Sequence, residues 1–161
     1  MGYRGRLINK FVAVVRLLDA AAIESAGDFD DDFRIVKPGG RIEQDAIRIP
    51  CQLDRRSWGR DFMTPAGHEI EADIILTLHW PDLVRLGLID TDGRPMIAQG
   101  DRIESIETVA GDTDVEFENP PGMFIVNLER AGHGLATFGT PQTNLLILYC
   151  AFAAKSKARS V

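Results

Sequence analysis

From Glu69 to Trp80 the chain reads Glu-Ile-Glu-Ala-Asp-Ile-Ile-Leu-Thr-Leu-His-Trp, with Ile70, Ala72, Ile74, Leu76 and Leu78 at every second position. A period of two puts those five side chains on one face of a strand, the face that buries. Glu69, Glu71, Asp73, Thr77 and His79 take the other face, and Ile75 interrupts that polar row. Ile47 and Ile49, with Arg48 between them, start a second alternating segment. Pro50 lacks the N–H of an interior ladder, so it marks that strand as an edge or as its end. Phe11–Leu18 is rich in Val and reads as a strand. Met123–Leu128 and Asn144–Cys150 read the same way, and Ile103, Ile106 and Val109 continue the sheet after a turn at Gly100–Ile103.

Pro81-Asp-Leu-Val-Arg-Leu-Gly-Leu88 predicts one short helix. Proline suits the first helical position and Asp82 complements the positive end of the dipole. Leu83 and Leu86, three apart, are expected to face the core. Gly87 supplies the left-handed stop, after which Leu88 folds back. Leu88–Asp90 and Met96–Ala98 then pair as a hairpin around Asp92-Gly93. Breakers fill the remainder: an acidic loop at Gly27–Asp32 within a long connection Ala26–Asp45, a polar connection Asp54–Asp61, and a turn at Pro65–Gly67. Further on come the acidic Gly111–Glu118, the breaker Asn119–Gly122 and the Gly/Thr-rich Arg130–Pro141. The fold expected is mainly β: a small β-barrel or sandwich with one short helix, long loops and terminal arms. It forms a single domain over 1–161, with its core at about 11–150 and a mobile basic tail at 151–161.

A length of 161 residues with 45% hydrophobic and 26% charged positions is that of one soluble globular domain. The net charge of −6 disfavours a general nucleic-acid binder, which needs a basic face to displace counterions. Cys51 and Cys150 lack the close spacing of a zinc site and sit in apolar runs, so they read as two buried thiols in a reducing compartment. The N-terminal apolar run is interrupted by Asn9, Lys10 and Arg16, so it reads as part of the domain and not as a signal peptide. No stretch reaches the roughly 20 apolar residues of a membrane helix.

Candidate chemistry is sparse. His68, His79 and His133 are scattered, and no second histidine follows His68-Glu69 at zincin spacing. Asp28, Asp30, Asp31 and Asp32 invite a calcium reading, but counting from Asp28 the positions that need Gly and Glu hold Phe33 and Gly39. The four aspartates read instead as a solvated acidic loop or as a surface for a basic partner. Arg55, Arg56, Trp58 and Arg60 form a basic and aromatic cluster of the kind that anchors protein interfaces. These eight residues are the candidate interface. No catalytic, cofactor-binding or metal-ligating set is expected, and no cofactor.

The residues Ile47-Arg-Ile-Pro-Cys-Gln-Leu53, His79-Trp80, Pro81–Asp90 and Gly100-Asp-Arg-Ile103 resemble a group of small tailed-bacteriophage and prophage proteins, the head–tail connector or head-completion (neck) proteins. The resemblance covers roughly Phe11 to Val109. It implies a non-enzymatic virion protein made in the host cytoplasm, whose protomers form a homo-oligomeric ring around the DNA path. Its partners would be itself, a portal or adaptor protein, a tail-side neck or tube protein, and DNA passing without sequence recognition, with no membrane. Loops and arms at Ala26–Asp45, Asp112–Gly122, Ala131–Gln142 and both termini would reach neighbours. The alternatives are another virion part (collar, tail terminator or baseplate) and a small cytoplasmic β-barrel enzyme or ligand-binding module using a pocket of Asp73, His79 and Arg102.

Overall fold

The computed structural model describes residues 10–19, 21–22, 29–30, 35–36, 42–54, 60–63, 69–119, 121–131 and 145–152. Six antiparallel strands close into a barrel: β1 (Phe11–Arg16), β4 (Ile47–Asp54), β7 (Ile74–His79), β11 (Leu145–Phe152), β10 (Met123–Ala131) and β8 (Arg102–Thr108). β8 pairs back onto β1, which closes the ring, and β9 (Thr113–Glu116) is an extra strand on β8. Two short antiparallel ribbons form sheets of their own: β2 (Phe29–Asp30) with β3 (Ile35–Val36), and β5 (Arg60–Met63) with β6 (Glu69–Ala72). Of the two expected mainly β architectures, barrel or sandwich with one short helix, the barrel is the one formed.

The barrel consists of two three-stranded meanders, β1-β4-β7 and β8-β10-β11, joined through the β7–β11 and β1–β8 pairs. Its interior is filled. Ala13 and Val15, Ile49 and Cys51, Leu76 and Leu78, Ile103 and Ile106, Met123 and Ile125, and Leu146 and Leu148 are buried in one core. Cross-strand register brings these positions together: Cys51 lies opposite Leu78, and Leu148 opposite Leu76.

α1 (Trp80–Arg85) and the following hairpin carry the chain from β7 to β8, which are not neighbours in the barrel, so this segment spans one end. Pro81 starts the helix and Asp82 lies in its first turn. Leu88 N–H donates to Leu83 O at 2.9 Å and Gly87 N–H to Val84 O at 3.1 Å, with Gly87 at φ 71°, which is a Schellman stop. Leu83, Leu88 and Ile97 are buried and plug the end. Leu86 was expected in the core but is 39% exposed. The stop falls at Gly87, and it is Leu88, beyond the turn, that folds in beside Leu83. The hairpin is the one expected: Met96 N–H donates to Leu88 O and Asp90 N–H to Arg94 O.

Other expectations need correction. Pro50 neither ends β4 nor marks it as an edge. β4 pairs with β1 over Ile47–Cys51, where Pro50 lies opposite Val12, and with β7 from Cys51 onward, so Pro50 falls just before the second ladder starts. The alternating run from Glu69 is broken at Asp73 into β6 and β7. Acidic Thr113–Glu116, read as connection, is a strand, and parts of Ala26–Asp45 and Asp54–Asp61 form the ribbons. β11 continues through Ala151 to Phe152, whose ring packs on Phe117 with centroids 6.0 Å apart. Ile103 and Ile106, three apart, share the interior because a bulge at Glu104 shifts the register: Val14 faces Ser105, while Val15 faces Ile103.

β9 and β10 are one broken strand. Glu116 lies opposite Ser105, Phe117 N–H donates to Glu104 O at 3.0 Å, and Met123 lies opposite Ile103. Residues 118, 119, 121 and 122 therefore lie off the ladder, between two nearly consecutive ladder positions. Gly122, at φ 71°, closes that loop through an N–H to Glu118 O bond of 2.8 Å.

Candidate functional site

The strand directions sort the candidate residues into two groups. β1 ends where β4 begins, with Val15 opposite Ile47, so the connection carrying Asp28, Asp30, Asp31 and Asp32 leaves at that end. α1 lies at the same end, because His79, its N-cap, is opposite Leu145 at the start of β11. β4 ends where β7 begins, with Asp54 opposite Ile75, so the connection carrying Arg55, Arg56, Trp58 and Arg60 leaves at the opposite end. β11 also finishes there, since Cys150 pairs with Ile74. Asp30 lies in β2 and Arg60 in β5; the side chains of all eight candidates, and the backbone of the other six, lie outside the described residues.

The pocket trio does not converge. Asp73 and His79 flank β7, about 20 Å apart at the rise of an extended strand. Asp73 is 2% exposed; its N–H donates to Cys150 O at 2.8 Å and its Oδ2 accepts the Phe152 N–H at 3.0 Å, so the carboxylate extends the β7–β11 ladder by one step. Arg102 forms a fork on Glu43, with Nε to Oε1 at 2.9 Å and Nη2 to Oε2 at 2.6 Å. The Glu43 carboxylate pushes the Arg102 pKa above its already high ordinary value.

The outer face of β4, β1 and β8 is laced by further ion pairs, Arg16 with Glu104 and Arg48 with Glu107. Arg16 and Arg102 are cross-strand neighbours, and their like charges are tolerated because each has its own carboxylate. At the α1 end the Arg130 guanidinium lies 5.2 Å over the Trp80 ring.

One organising residue was missed by reading the sequence. Asp101, 3% exposed, accepts the Leu18 N–H on Oδ1 at 2.8 Å and the Ala98 N–H on Oδ2 at 2.7 Å, while its own carbonyl accepts the Ile125 N–H at 2.9 Å. It ties the exit of β1, the hairpin and β10 at one point. Its sequence signal, Gly100-Asp101, marks only a turn.

Cys51 and Cys150 are free thiols, fully buried. Burial pushes the Cys51 pKa from 9.0 up to about 12 and that of Cys150 higher still. Such thiols are poor nucleophiles and poor metal ligands. Among the described residues no group of three or more His, Cys, Asp or Glu is placed to hold a metal ion. Compared with models of protein families, with curated proteins and with solved structures, the chain matches none.

Proposed function

We propose that this protein is a structural component of a tailed-phage neck, a ring-forming protomer joining the portal or adaptor side to the tail side. One observation carries the reading: a closed, solid barrel sends chemically opposite segments from its two ends. The connection with Asp28 and Asp30–Asp32 leaves one end, and the connection with Arg55, Arg56, Trp58 and Arg60 leaves the other. Opposite ends of unlike charge suit a head-to-tail contact between protomers, and heterologous contacts close into rings when the rotation per subunit allows it. The apolar filling of the barrel supports a path for DNA between protomers and not through one. The polar side chains best fixed in the described structure, Asp73, Asp101, Arg102 and Glu43, hold strands and connections together. That is what a shape-keeping part requires.

Deleting the gene in the phage or prophage that encodes it tests the role. The expected phenotype is accumulation of separate heads and tails, with joining restored by the wild-type gene. Joined, infectious particles made without the protein would overturn the proposal.

A further inference from the structure

We propose that the outer edge of β9 is a strand-docking site, and that its occupant is the chain's own basic C-terminal segment, residues 153–161, running on from β11. Three observations converge on it. The first is topological. β9 and β10 lie in succession along one edge of β8, and β11 lies along the far edge of β10. β11 ends at Phe152 opposite Met123, the first residue of β10, with the Phe152 ring against Phe117 at the end of β9. A chain continuing straight out of β11 therefore meets the outer edge of β9. Among the described residues that edge carries no strand.

The second observation is charge. Asp112, Asp114, Glu116 and Glu118 occupy every second position along β9 and its flanks, and all are exposed. Lys155, Lys157 and Arg159 also occupy every second position. In an extended segment they share one face. The two segments are opposite in sign; a bulge puts Val115 opposite Ile106 and Thr113 opposite Glu107, with Asp114 as the extra residue, so the match is one of charge along the edge and not of a single shared face. The third is reach. Nine extended residues span about 30 Å, more than the roughly 17 Å from 112 to 117. An added strand would also cover an edge that otherwise invites pairing between molecules.

Amide hydrogen exchange on the full chain tests the assignment. The outward-facing amides of Thr113–Glu116 should be protected in the wild type. They should exchange at least tenfold faster in Lys155→Glu/Lys157→Glu/Arg159→Glu, while Leu76 and Leu148 in the core stay unchanged. Adding Asp112→Lys/Glu116→Lys/Glu118→Lys to that variant should restore protection, which general loss of stability would not do. Equal exchange in wild type and the tail variant would overturn the proposal. Protection that appears only as protein concentration rises would also overturn it, because the occupant would then be a second copy.

Discussion

The Asp101 carboxylate accepts the backbone N–H of Leu18 at 2.8 Å, across 83 positions of chain. Its other oxygen holds Ala98, so one buried side chain serves two amides from separate segments. Asp101→Ala would strand both amides, at a cost of about 2–4 kcal/mol. Asp101→Asn keeps one oxygen acceptor and should lose less. Urea denaturation of the three proteins measures this; equal midpoints for wild type and Asp101→Ala would contradict the role given to the carboxylate.

The α1 plug makes a paired prediction. Leu83 is fully buried beneath the helix, and Leu83→Ala should destabilise by about 2–5 kcal/mol. Leu86, three residues on and 39% exposed, should tolerate alanine within about 0.5 kcal/mol. The sequence treated these two leucines alike, so their thermal midpoints discriminate directly between the helix as read and the helix as folded.

Gly122 closes the loop that separates β9 from β10. A Cβ there would lie 2.7 Å from the Phe124 ring and 3.0 Å from Asn119 Oδ1, in a backbone with φ 71°. Gly122→Ala should therefore cost about 1–3 kcal/mol through left-handed strain and crowding. Chemical denaturation reads the loss, and a neutral outcome would show that the loop relaxes freely.

Alkaline stability follows from the buried thiols. Cys51 keeps its proton to about pH 12 in the folded chain, against 9.0 as its ordinary value, and Cys150 is shifted the same way. Above pH 9 the unfolded chain releases protons that the folded chain retains, so stability present below that pH falls as pH rises. Tyr149, raised above its ordinary 10.0 by burial and by Glu129, adds to the fall at higher pH. Cys51→Ala/Cys150→Ala should flatten the pH dependence of the unfolding free energy between pH 9 and 11. An unchanged slope would contradict burial as its source.

Much of this fold was written in local pattern. Alternation from Ile74 to Leu78 gave the inward face, and the Pro81–Gly87 segment gave the helix and its stop. What stayed hidden depends on partners distant in sequence. The Glu104 bulge lets Ile103 and Ile106 share the core, and Pro50 sits within β4 just before its second ladder, with β7, starts at Cys51. β9, acidic and mostly exposed, lacks the hydrophobic signal of a strand and forms because β8 offers it an edge. The candidate interface was legible as two charged clusters; the strand order adds that their connections leave the barrel at opposite ends. Asp101 looked like a turn residue because its acceptor role is set by Leu18, far away in the chain.

The central claim is a place in the phage neck. Particles produced by the strain encoding this protein would be banded on a density gradient, and the protein quantified by mass spectrometry against the major capsid protein. The account predicts recovery at a few copies per particle, on the scale of one ring. Intact particles without the protein, with the protein free in the cytoplasm, would contradict it.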